Sequence, residues 1–125
     1  MAKVLLVEDD KFLSSLLKNR LEKDGYEIIV AHDGNEAIEA LRNNTPDIIL
    51  LDLILPGKSG FEVLEELKAD PQLQNKVNIP VVVISNLGQE SDMERGRELG
   101  VVDYFVKARI SIDDLANKVG SYIKK

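Results

Sequence analysis

Three uninterrupted apolar runs, Val4-Leu5-Leu6-Val7, Ile48-Ile49-Leu50-Leu51 and Val81-Val82-Val83-Ile84, each stop at a polar residue: Glu8, Asp52 and Ser85. Runs this short and this continuous read as strands covered on both faces, the pattern of central strands in a parallel sheet. A further stretch, Tyr104-Phe105-Val106, stops at Lys107. Parallel neighbours align their carboxyl ends along one edge, and open α/β sheets place their ligands there. Glu8, Asp9, Asp52, Ser85 and Lys107 are thereby expected on a single crevice.

Strand and helix patterns alternate five times along the chain, which argues for βαβ units. The first strand is expected over about 3–7. The first helix, about 11–23, carries Phe12, Leu16, Leu17 and Leu21 on one face and stops at Asp24-Gly25. A second strand over 27–31 precedes Asp33, which with Glu36 forms a capping-box pattern for a helix bearing Ala37, Ile38 and Leu41. The third strand is expected over 47–51. The turn Pro56-Gly57-Lys58-Ser59-Gly60 leads into a helix that buries Phe61, Val63, Leu64 and Leu67 and ends at Asp70-Pro71. A polar connector over 72–78 leads to the fourth strand. Ser91 with Glu94 predicts a cap for a helix over about 92–99, a fifth strand spans 102–106, and Ser111 with Asp114 opens the last helix, whose Leu115, Val119, Tyr122 and Ile123 face the sheet. Right-handed crossovers make 2-1-3-4-5 the natural strand order. The expectation is a single three-layer α/β domain over residues 1–125, with a doubly wound five-stranded parallel sheet and five helices; no output domain is visible in these residues, whether the protein signals by direct docking or the natural protein is longer.

Bulk properties narrow the function classes. The 125 residues are 44% hydrophobic and 30% charged, and the net charge is −6. A globular fold follows, and direct nucleic-acid binding through phosphate neutralisation is disfavoured. The dibasic end Lys124-Lys125 is too short to change that and suits a helix C-terminus. There is no cysteine, which agrees with a reducing cytosol. No apolar run approaches the roughly 18 residues of a membrane helix, and Met1-Ala2-Lys3 lacks the layout of a signal peptide. A cytoplasmic protein without a membrane segment is expected.

Three clustered carboxylates repel one another unless a divalent cation joins them, and hard oxygen ligands suit Mg²⁺. An ammonium and a hydroxyl beside them add phosphoryl-oxygen partners. The segments Leu6-Val7-Glu8-Asp9-Asp10, Leu50 to Gly60, Val83-Ile84-Ser85-Asn86 and Asp103-Tyr104-Phe105-Val106-Lys107 together resemble the receiver domain of two-component response regulators, over the whole chain and in the family's order. The resemblance implies a flavodoxin-like fold and a phosphoacceptor role. Asp52 would take a phosphoryl group from a histidine kinase, a phosphotransfer protein or a small phosphodonor. Asp9 would bind Mg²⁺ directly, Glu8 through a water, and Asp52 and the backbone carbonyl of Ile54 would complete the protein ligands. Lys107 and Ser85 would meet phosphoryl oxygens, and Tyr104 stands at the family's switch aromatic. Partner binding would change around helix 4, strand 5 and helix 5, a surface that could also form a homodimer. Such a domain catalyses its own phosphorylation and slow dephosphorylation and is not otherwise an enzyme.

Asp10 reads as an acidic helix N-terminus, His32 as a surface residue and Met93 as ordinary filling. The family usually has Pro after the lysine, whereas Ala108 stands here. A cis bond before a non-proline residue costs about 3–4 kcal/mol, so the Lys107–Ala108 bond is expected to be trans. Asn86 could crowd the mouth of the site, and Ile54 and Leu87 are apolar where flanking residues are often polar. An FMN-binding electron carrier would share the fold, but Glu8-Asp9-Asp10 would repel the FMN phosphate. A phosphatase would carry a general acid two residues after Asp52, where Ile54 stands. A degenerate receiver, acting as an interaction module without phosphorylation, is the remaining alternative.

Overall fold

The computed structural model describes residues 1–123; Lys124 and Lys125, and so the helix-end reading given to them, lie outside the described residues. Five strands, β1 (Lys3–Val7), β2 (Glu27–Ala31), β3 (Ile48–Leu51), β4 (Val81–Ser85) and β5 (Val101–Val106), alternate with α1 (Lys11–Lys23), α2 (Gly34–Asn43), α3 (Gly60–Ala69), α4 (Glu90–Glu98) and α5 (Ile112–Tyr122). The strands form one parallel sheet in the order β2-β1-β3-β4-β5. This is the expected doubly wound arrangement.

The alternating direction of strand side chains divides the core in two. Leu5, Val7, Ile49, Leu51, Val81 and Val83 pack with α2 and α3 on one face. Val4, Leu6, Ile48, Leu50, Val82 and Ile84 pack with α1 and α5 on the other. Each central strand therefore needs apolar residues at every position. A bulge in β5 adds a further constraint. Val81 pairs with Val101 but Val82 pairs with Asp103, so Val102 is extra. One added residue inverts which face each later side chain meets, and it sends Tyr104 to the α3 side and Phe105 to the α5 side.

Local sequence accounts for most helix starts. Asp10 Oδ1 accepts from the Phe12 and Leu13 amides at 2.9 and 3.0 Å, and Ser111 caps α5 through the Asp114 amide. The Ser59–Glu62 capping box closes in both directions. At α2 the box is displaced: Asp33 accepts from the Glu36 amide, but the Glu36 carboxylate reaches back to the His32 amide.

Three local expectations are corrected. Phe12 and Leu16 do not face the core; they are 65% and 42% exposed, and the buried stripe of α1 is Ser14, Leu17 and Leu21. The apolar arc of α1 is wider than the sheet can cover. Helix α4 begins at Glu90, after Gln89, and Ser91 lies inside its first turn, with no side-chain cap. The Asp92 and Met93 amides bond the Gln89 carbonyl instead, and Glu90 and Asp92 suit the positive end of the dipole. The connector after α3 is not a plain polar loop. Residues Pro71–Lys76 form a 3₁₀ turn that buries Leu73 and Lys76, and the Lys76 ammonium donates to the carbonyls of Leu41 and Asn44 at the end of α2.

Leu73 is fully buried, so Leu73→Ala should lower unfolding free energy by about 2–5 kcal/mol. Phe12→Ala should stay within about 0.5 kcal/mol of the parent. Urea midpoints of the two variants test this, and equal losses at both positions would contradict the burial described.

Candidate functional site

Parallel register places the site. Val7 lies opposite Leu51, and Leu51 opposite Val83, so the residues just past β1 and β3 and the end of β4 meet along one edge. Ser85 pairs with Val106, which puts Lys107 one step beyond. The Asp52 amide donates to the Val7 carbonyl at 3.0 Å and extends that ladder to the acid itself.

Lys107 bridges two buried acids. Its Nζ is 2.7 Å from Asp52 Oδ2 and 2.6 Å from Glu8 Oε1, with Asp52 2% and Glu8 0% exposed. Asp52 Oδ1 also accepts from the Ile54 amide at 3.1 Å, and Glu8 Oε2 from the Asp10 amide at 3.1 Å. Glu8 Oε1 is buried, and Lys107 at 2.6 Å is the cation that faces it, in poor hydrogen-bond alignment. Burial pushes the Glu8 carboxyl up to about 7, against the pull of Lys107 and the Asp10 amide and with the Asp52 charge adding to the rise. For Lys107, burial alone favours the neutral amine, but its hydrogen bonds to Asp52 and Glu8 outweigh it and raise the pKa above the ordinary value.

Asp9 is exposed, at the mouth. Glu8, Asp9 and Asp52 each bring one carboxylate oxygen within 4.8 Å of the others. This hard-oxygen set, with one buried oxygen short of a partner, fits a small divalent cation such as Mg²⁺. The ammonium alone does not balance the three carboxylates.

Ser85 is fully buried at the end of β4 and its Oγ accepts from the Leu87 amide at 3.3 Å. Tyr104 is half-buried, and its hydroxyl donates to the Leu87 carbonyl. Burial, with the charges of Asp92 and Asp52, pushes that hydroxyl up to about 12. The β4–α4 segment is thus held at Leu87 by Ser85 and Tyr104 together. Ile54, two residues after Asp52, is exposed, and so is Asn86. No peptide bond is cis among the described residues, so Lys107–Ala108 is trans, and Lys107–Arg109 forms a 3₁₀ turn. His32 is half-exposed, with Nδ1 3.7 Å from Glu36 Oε1.

Gly60 ends a segment of the motif, but the sequence assigned it no role at the site. A Cβ there would sit 2.4 Å from the Asp52 carbonyl oxygen and 2.6 Å from Leu53 Cα. Only glycine lets α3 begin against the backbone of the central acid. Its amide also donates to the Leu53 carbonyl at 3.0 Å. The signal was present in the glycine itself, but the close approach is a tertiary fact.

Known proteins resemble the chain in sequence and in fold. The response regulator receiver domain family matches residues 4–120. The transcriptional regulatory protein CpxR of Klebsiella pneumoniae subsp. pneumoniae (strain HS11286) is 42% identical over 107 residues, which cover 86% of this chain and 43% of that protein. The chain therefore spans less than half the length of this relative. The receiver domain of the Francisella response regulator 1452 superposes with a TM-score of 0.86 at 31% identity, covering 98% of this chain and 96% of that one. The non-phosphorylated HemR receiver domain of Leptospira biflexa gives 0.86 at 29% identity, covering 100% and 96%. With the sheet order, the acidic edge and the family match in agreement, the chain belongs to the response regulator receiver domain family.

Proposed function

We propose that Asp52 is the phosphoacceptor of a signalling switch, taking a phosphoryl group from a histidine kinase, a phosphotransfer protein or a small phosphodonor. The observation that carries this reading is a buried carboxylate, 2.7 Å from an ammonium and grouped with two further acids, at the edge of the sheet. An Asp52 oxygen bonds to phosphorus as the bond between phosphorus and the donor's histidine nitrogen breaks, and the electron pair leaves on that nitrogen. Lys107 and the Ser85 hydroxyl then hold phosphoryl oxygens.

Asp9, Asp52, the Ile54 carbonyl and, through a water, Glu8 would hold Mg²⁺. When bound, the ion neutralises charge on the phosphoryl oxygens. It would also draw the Glu8 carboxyl back to its charged form, which burial otherwise opposes. Ile54 offers no general acid, so the phosphoryl group is lost slowly and the domain does not turn over substrates as an enzyme does.

The new charge acts through Leu87. Ser85 Oγ is engaged with the Leu87 amide and Tyr104 with the Leu87 carbonyl. Turning Ser85 toward a phosphoryl group releases one of these contacts, and that differential contact biases the segment 85–99 and Tyr104. The surface of α4, β5 and α5 then changes its partners, with a homodimer as one outcome. Among the described residues no helix is long and apolar enough to cross a membrane, and a cytoplasmic setting suits the reading. The CpxR relative is a transcriptional regulatory protein; a chain of net charge −6 would influence such an output by protein contact rather than by binding nucleic acid itself. A degenerate receiver is the second reading, and Ala108 favours it. Against it, Lys107 reaches both acids from a trans loop.

Intact mass after incubation with acetyl phosphate and Mg²⁺ should rise by one phosphoryl group in the parent and not in Asp52→Asn. Equal modification of both proteins would remove Asp52 from its role. Mg²⁺ should raise the urea midpoint of the parent, by about 1.4 kcal/mol of stability at ten times its Kd, and leave Asp9→Ala nearly unmoved. A full shift in the variant would show that Asp9 is not a ligand.

A further inference from the structure

Helix α4 is held to the body of the protein in an unusual way. Its nine residues, Glu90–Glu98, bury only Gly96, whose missing side chain leaves Val101 and Tyr104 of β5 at ordinary contact distance, 3.6 and 3.7 Å from where a Cβ would be. The other attachments come from α3. The Arg95 guanidinium lies 4.2 Å from the centroid of the Phe61 ring, and its Nη2 is 3.4 Å from Glu65 Oε2. The Lys68 ammonium donates to the Glu98 carbonyl at 3.4 Å, where a cation suits the end of a helix.

Phe61 is not an arbitrary platform. It follows Gly60, which rests on the Asp52 carbonyl, and its ring is part of the core. Helix α3 is thereby fixed to the phosphoacceptor strand at its first residue and by a buried apolar face. Helix α4 has no such face. When the Leu87 segment moves to let Ser85 turn, α4 is the element carried with it, and α3 stays. A contact that spans the two helices is then made in the resting arrangement and lost in the switched one.

We propose that Arg95 is a positioning residue whose stack on Phe61 clamps α4 in the resting arrangement and so sets how readily Asp52 is phosphorylated. The proposal rests on the phosphoacceptor reading above and specifies its regulation. Arg95 touches none of the reacting groups; it acts through the equilibrium of α4. A contact made in one state and absent in the other shifts the equilibrium by its own free energy. An exposed cation–π pair corresponds to a factor of about two to five. The accompanying Glu65 ion pair is half-exposed at both ends and contributes little. The stack, rather than the salt bridge, is the effective part.

Apparent beryllofluoride affinity, with Mg²⁺ present, tests this in the parent, Arg95→Ala and Glu65→Gln, beside amide hydrogen exchange of the free proteins. Arg95→Ala should bind about two- to five-fold more tightly, and exchange should quicken over 87–99 but not in α3. Glu65→Gln should match the parent in both measurements. In a Ser85→Ala background, where the rewarding contact is gone, removing Arg95 should give no gain in affinity; a merely structural role for Arg95 would show the same effect in both backgrounds. If the parent binds beryllofluoride and Arg95→Ala binds it equally or more weakly, the clamp is overturned and the phosphoacceptor reading stands. If the parent binds none, that reading falls and the regulatory role falls with it.

Discussion

Everything at the working edge of this sheet is organised around one ammonium between two buried carboxylates. Lys107 ties the end of β5 to the ends of β1 and β3, through Glu8 at 2.6 Å and Asp52 at 2.7 Å. Removing three charges from water is costly, and a buried ion pair seldom recovers more than it loses. The arrangement is therefore sustained by something else, namely the two apolar layers that cover β1, β3 and β4 completely. Those layers hold the acids close together although one cation is too few for them. Burial raises the pKa of Glu8, and the neighbouring Asp52 charge adds to the rise. A site built this way has an unmet demand for positive charge, of the kind a divalent cation would supply.

Backbone packing delivers the acids as much as side chains do. Gly60 allows α3 to start against the carbonyl of Asp52, and at Gly34 a Cβ would lie 2.1 Å from the Lys58 carbonyl oxygen. Two helices thus begin in contact with the loop that follows Asp52. The loop is short and pinned on both sides, and Asp52 is held by the Ile54 amide and the Val7 carbonyl together. In the proposed phosphoacceptor role, such rigid placement of Asp52 would lower the entropy lost on the way to in-line transfer. The β4–α4 segment on the other side of the site has no glycine seat of this kind and is held at Leu87 by Ser85 and Tyr104.

Sequence made the site legible because the information is carried by strand ends. Once Val4–Val7, Ile48–Leu51 and Val81–Ile84 are read as parallel strands, Glu8, Asp52 and Ser85 must share an edge, whatever the helices do. The helix caps at Ser59 and Ser111 were equally local, and so were recoverable. What escaped was non-local. Nothing in Phe12 or Leu16 tells that the core stops short of them, because the limit is set by the sheet's width. Leu73 and Lys76 sit in a polar-looking connector and acquire their burial from α2 and α3, which lie elsewhere in the fold. The start of α4 was misplaced because Ser91 and Glu94 mimic a capping box, while the real start depends on where β4 releases the chain. Arg95 over Phe61 joins residues on different helices at a spacing no local pattern specifies.

The same contrast between local and distant determinants bears on how the domain could switch. An element can respond to a phosphoryl group only by as much as its contacts differ between arrangements. Helix α3 has a buried face and a glycine-mediated seat on Asp52, so moving it would cost the core several apolar contacts at once. Helix α4 has one buried glycine, no side-chain cap, two cationic contacts to α3 and the Leu87 segment leading into it. Each of these is of the order of 1 kcal/mol or less, and their sum is commensurate with the 1–3 kcal/mol typical of coupling between sites. A helix buried like α3 would be too firmly held for that coupling to move it, and a detached one would have no resting state to leave. The poverty of apolar residues in α4 therefore suits the switching role proposed for it, and it follows from the same composition that leaves only Gly96 of this helix buried.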